Sequence, residues 1–122
     1  MPARVVVVLD DGQLGEQVAE VLSKSGYDAV AIPDSMVALD ALESAALIEL
    51  LIASFNFPNG KPNGVSLALM ARNRRPEMDV IFLGSPDYAQ YSAGLGDIIP
   101  TPASASEIVQ RAAKLLGSPT TA

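Results

Sequence analysis

A chain of 122 residues with no cysteine, no histidine and a formal charge of −6 has the length of one domain, able to bury a core without disulfides or a metal. The missing residues exclude a disulfide framework, a cysteine-based zinc site, a histidine metal cage and a Ser-His-Asp triad. The acidic balance disfavours nucleic acid and anionic membrane as direct partners, and no apolar run approaches a membrane span.

Met1 to Arg4 is too short for the charged start of a signal peptide, so a soluble cytoplasmic protein is expected. Arg4-Val5-Val6-Val7-Val8-Leu9 is β-branched almost throughout and reads as a central parallel strand, closed by Asp10-Asp11-Gly12. From Gln13 to Ser25, Leu14, Val18, Val21 and Leu22 recur at helical spacing, and Gly26 is a natural stop. Tyr27 to Ile32 gives a second strand. Pro33-Asp34-Ser35 turns and caps a second helix with Met36, Leu39 and Leu42 on its inner face. Ile48 to Ser54 is a third strand, apolar on both faces, which stops at the turn formers Pro58 to Gly64.

Val65 to Asn73 forms a third helix with Leu67, Leu69 and Met70, ending in Arg72, Arg74 and Arg75 before Pro76, which read as partners of the helix dipole. Asp79 to Leu83 is a fourth strand, Gly84 to Ala93 a weak helix, and Asp97 to Pro100 a short fifth strand. Ser104-Ala105-Ser106-Glu107 is a capping box opening the last helix, which packs Ile108, Val109, Ala112, Leu115 and Leu116 inward. Five strands alternating with five helices specify a doubly wound α/β domain, the flavodoxin-like (βα)5 architecture with a five-stranded parallel sheet in the order 2-1-3-4-5. It is expected to fill 1–122 as one domain, with its core in 4–116 and a frayed tail at 117–122. Ligands on such a sheet gather at the C-terminal ends of strands one and three.

Several landmarks resemble response regulator receiver (CheY-like) domains over Arg4 to Leu116. Val8-Leu9-Asp10-Asp11 stands where receivers carry an acidic pocket, and Gly26-Tyr27-Asp28 matches their turn into strand two. Glu49 to Pro58 matches the strand whose phosphoacceptor aspartate precedes a proline by four positions, and Gly94 to Pro102 the segment ending in a Lys-Pro pair. The resemblance implies the receiver fold, with a role in two-component signal transduction. It also sets the positions at which phosphoryl transfer needs an aspartate, carboxylates for Mg²⁺, and a hydroxyl and a cation for the phosphoryl oxygens.

At those positions the chain departs from the family. Ser54 falls on the acceptor, and a serine cannot form an acyl phosphate. Counting back from Gly64 instead places Asn56 there; period two favours Ser54, which shares a strand face with Leu50 and Ile52. Leu9 takes the first acidic position, leaving Asp10 and Asp11 as a remnant pocket that offers Mg²⁺ only a weak site. Gly84 falls on the switch hydroxyl with Ser85 next to it, Thr101 on the lysine and Ile98 on the switch aromatic. Asn59-Gly60 and Asn63-Gly64 lack the pattern of a phosphate loop and read as turns.

The expected function is that of a stand-alone pseudo-receiver, not an enzyme, working by protein contact with a histidine kinase or an output protein and needing no cofactor. Its contact or homodimer face is expected on helix four, strand five and helix five, with Tyr88, Tyr91, Leu95 and Ile99. The alternative is a receiver that responds to phosphorylation or Mg²⁺ at a non-standard site. A flavin site is disfavoured, because Asp10-Asp11-Gly12 repels phosphate after strand one.

Overall fold

The computed structural model describes residues 4–44, 48–57 and 63–117. Its elements follow the expected alternation: β1 (Arg4–Val8), α1 (Gly12–Lys24), β2 (Asp28–Ala31), α2 (Ser35–Ser44), β3 (Leu50–Ser54), α3 (Gly64–Arg74) and β4 (Asp79–Gly84). A 3₁₀ turn at Pro86–Tyr88 then leads into α4 (Ala89–Ser92), β5 (Asp97–Pro100) and α5 (Ala105–Leu116). The sheet is parallel throughout, in the order β2-β1-β3-β4-β5. All five residues of β3 are buried, as its apolar run predicts for a strand covered on both faces.

Strand alternation divides the core. Val5, Val7, Leu50, Ile52, Ile81 and Ile99 face α1 and α5, which contribute Val18, Leu22, Ile108 and Ala112. Val6, Val8, Leu51, Ala53, Phe55, Val80 and Phe82 face α2 and α3, which contribute Ala38, Leu42, Leu67, Ala68 and Ala71. Gly26 follows α1 with φ 102°, the left-handed geometry expected of a helix stop. The Tyr27 hydroxyl donates to the carbonyl of Gly117, fastening the end of α5 beside the start of β2. The capping box forms as predicted: the Ser104 hydroxyl accepts from Glu107 N, and the Glu107 carboxylate from Ser104 N. On α1, the Lys24 ammonium bonds Glu20 and holds its carboxyl below the usual carboxylate range.

Three helix faces differ from expectation. Val21 is outward on α1, where Gly15 and Ala19 lie inside instead. Met36 on α2 is exposed and Ala38 points in beside Leu42 and Leu39, which take the expected inner face. Leu69 and Met70 are exposed on α3, whose inner stripe is Gly64, Leu67, Ala68 and Ala71. In each case small residues take the inner face because they let the helix lie close on a sheet already filled by valine, leucine and phenylalanine. Arg72 in the last turn of α3 and Arg75 at its end also do more than partner the helix dipole. Arg72 donates from Nε to the carbonyl of Met78 and from Nη2 to that of Leu95, both at 2.6 Å. Arg75 donates to the carbonyl of Leu42 at 2.7 Å.

Among the described residues, two buried side-chain polar atoms lack a hydrogen-bond partner, Arg75 Nε and the Ser35 hydroxyl. Ser35, the first residue of α2, is 1 % exposed and its hydroxyl has no hydrogen-bond partner. An unsatisfied buried hydroxyl costs about 1–3 kcal/mol. Ser35→Ala is therefore expected to stabilise the domain by about 1 kcal/mol, aided by alanine's helix propensity. Urea unfolding checks it: the midpoint rises at unchanged slope.

Candidate functional site

The parallel register sets Val8 beside Ala53, so the residues following β1 meet the last residue of β3. Leu9 is still core, 1 % exposed, and the polar pocket begins at Asp10. Ser54 Oγ donates to Asp10 Oδ1 at 2.8 Å and accepts from Asp10 N at 3.1 Å. The same Oδ1 also accepts from Asp11 N at 3.0 Å. Ser54 is thus a buried hydroxyl with both hydrogen-bonding functions satisfied, and Asp10 is its partner. The Asp11 carboxylate turns the other way and caps α1, accepting from Leu14 N at 3.1 Å.

Around this pair lies a cleft of about 470 Å³ at the C-terminal edge of the sheet. Its wall includes Asp10, Asp11, Ser54, Asn56, Gly84 and Thr101. Four loops separated in sequence therefore bring the expected pocket residues together. Thr101 N donates to the carbonyl of Gly84 at 3.2 Å, joining the ends of β4 and β5 beneath the cleft. Ser85 also lines the cleft, and its hydroxyl caps the 3₁₀ turn by accepting from Asp87 N. Both Ser54 and Asn56 border the cleft; Ser54 ends β3 and is hydrogen-bonded to Asp10, and Asn56 lies two residues past the strand.

The other expected residues lie elsewhere. Ile98 and Leu95 are half-buried against the core on the α2–α3 side. Ile99 is 4 % exposed and belongs to the α1–α5 core, so its placement on a contact face is corrected: α5 covers it. Tyr91 is 57 % exposed, whereas the Tyr88 side chain lies outside what the structure describes. Asn63 caps α3, accepting from Ser66 N at 2.8 Å, as a turn residue would. Asn59-Gly60 and the tail beyond Gly117 lie outside the described residues.

Two residues at this edge escape a reading by motif. A Cβ on Gly64 would stand 2.1 Å from the carbonyl oxygen of Ser54, so glycine is required for α3 to start this close to β3. Its amide donates to the carbonyl of Phe55 at 3.1 Å. Phe55, 4 % exposed, stacks on Phe82 with ring centroids 4.9 Å apart. The Asn-Gly pair was the only sequence signal, and it pointed to a turn, not to the backbone approach behind it.

The receiver resemblance implies Mg²⁺, and the residues present do not fit it. Magnesium wants near-octahedral oxygen ligation, with carboxylates supplemented by water and phosphate. Here one carboxylate caps a helix, the other holds Ser54, and the β3 position supplies a hydroxyl. Among the described residues, no group of three or more His, Cys, Asp or Glu side chains could hold a metal ion.

No protein-family model matches the sequence, and no curated protein matches it. Solved structures do. A response regulator receiver protein from Sinorhizobium medicae superposes with a TM-score of 0.82 at 20% identity, covering 94% of this chain and 94% of that one. The chemotaxis protein CheY4 of Vibrio cholerae gives 0.80 at 20% identity, covering 95% of this chain and 100% of that one. A CheY-like receiver domain protein from Methanospirillum hungatei gives 0.81 at 20% identity, covering 95% and 94%. The chain has the five-stranded fold of response regulator receiver domains.

Proposed function

We propose that the domain is a receiver-type module of two-component signalling that acts by binding a protein partner and does not take a phosphoryl group on an aspartate. The reading rests above all on the end of β3, where Ser54 is closed onto Asp10 by two hydrogen bonds. Phosphoryl transfer needs an activated nucleophile and cationic support for the transferred oxygens. A hydroxyl bonded to a carboxylate, beside Thr101 and Gly84, offers neither an acyl-phosphate acceptor nor a cation. The partner is a histidine kinase or an output protein, met on the α4–β5 side, where Tyr91 supplies an exposed aromatic suited to anchoring an interface.

The test is amide NMR during titration with Mg²⁺ and beryllofluoride, which mimics a phosphoryl group on a carboxylate. No saturable shift is expected at Asp10, Ser54, Gly84 or Thr101. A saturable response at those amides overturns the reading in favour of a receiver responsive at a non-standard site.

A further inference from the structure

We infer that Phe55 is a conformational clamp that holds the β4–α4 connection in one position, and that Gly84 is its obligate partner. A Cβ on Gly84 would lie 2.5 Å from Phe55 Cδ2 and 3.4 Å from its Cβ and Cγ. Contacts below 3.0 Å force something to move, and Phe55 has little room to do so. Its ring is buried and stacked on Phe82 with an interplanar angle of 13°. Its amide donates to the carbonyl of Leu83 at 3.0 Å, carrying the β3–β4 ladder one residue past the strand. Its carbonyl accepts from Gly64, itself fixed by the backbone approach to Ser54. On the other side, the Gly84 carbonyl is held by Thr101 N.

The ring therefore occupies the volume that any side chain at position 84 would need. The segment from Gly84 into the 3₁₀ turn is pinned between β3 and β5, and α4 is presented to a partner in one geometry. This goes beyond the reading above and holds whatever chemistry the cleft supports. It also means that a hydroxyl-bearing residue at position 84 is accommodated only when residue 55 is smaller.

A double-mutant cycle tests the pairing. Gly84→Ala alone is expected to lower the melting temperature by roughly 5–10 °C, through overpacking. In a Phe55→Ala background the same substitution is expected to cost about 2 °C or less, because the cavity accepts the methyl group. Equal losses in both backgrounds overturn the pairing. If Phe55→Ala does not fold, Phe55→Val serves, since it lacks the δ carbons and suits a strand end. The clamp has a separate readout in native-state hydrogen exchange. Amides of residues 85–92 should lose about tenfold more protection than those of β1 in the Phe55 variant, and a uniform loss overturns it.

Discussion

Ser54→Asp is expected to destabilise the domain near neutral pH and to leave it unphosphorylated by a small phosphodonor. The serine is buried within hydrogen-bond distance of Asp10, so an aspartate there sets two carboxylates within about 3 Å, where both cannot stay ionised without a counter-charge. No lysine, arginine or histidine lines this cleft among the described residues. Asp10 is solvent-exposed, which screens part of the repulsion, and a net loss of about 2 kcal/mol at pH 7 follows.

The sign with pH separates charge from size. One carboxyl of the new pair has its folded-state pKa raised above its unfolded value, so the protonated form favours folding. The stability of Ser54→Asp should therefore be greatest at low pH and fall as pH rises through that raised pKa. Ser54→Asn provides the control: its amide can donate to Asp10, it carries no charge, and its stability relative to the parent should not vary with pH in this way. Urea midpoints across pH 4–8 decide between the two, and a pH-independent deficit in Ser54→Asp would show that volume, not charge, is at fault. Labelling above the level of the parent protein would show that Thr101 and Gly84 give the phosphoryl oxygens enough support after all.

How much of this was legible in the sequence depended on how local the cause was. The capping box at Ser104 and Glu107 and the buried β3 follow from period and punctuation within a few residues, and the strand order from the strand–helix alternation along the whole chain. Leu39 and Leu42 on α2 and Leu67 on α3 take the expected inner face, and Met36, Leu69 and Met70 do not, because both helices carry apolar residues well beyond one stripe. Leucine and methionine drew the inner face towards themselves, while Ala38, Ala68 and Ala71 actually set how closely the helices lie on the sheet. Ile98 and Ile99 show the same limit. Period two puts them on opposite faces, but it does not reveal that α5 buries Ile99 while the single turn of α4 leaves Ile98 half-covered.

At the site, the residue types were legible and their pairing was not. Ser54 and Asp10 stand 44 positions apart, and only the register of β1 on β3 brings them together. Gly84 read as a missing hydroxyl. What it provides is space for Phe55, a tertiary contact with no sequence period to announce it.

The arginines at the end of α3 carry the other large expected effect. The Arg72 guanidinium spans two carbonyls, Met78 before β4 and Leu95 before β5, and so ties α3 to the turns that feed both strands. Hydrogen bonds from a charged donor contribute about 1.5–3 kcal/mol each, and removing the donor leaves two part-buried carbonyls without it. Arg72→Ala is accordingly expected to cost about 3 kcal/mol in urea unfolding, with Arg74→Ala, on the exposed side, within about 0.5 kcal/mol of the parent. Arg72→Lys should recover less than half of the loss, since a single ammonium cannot reproduce the planar fork that reaches both carbonyls. Arg72→Met keeps the apolar stem and isolates the hydrogen bonds from packing. Equal, small effects of Arg72→Ala and Arg74→Ala would return both to the role of dipole partners. A selective loss at Arg72 would place part of the rigidity of the α4–β5 side in this one side chain, on the opposite edge of the sheet from the cleft.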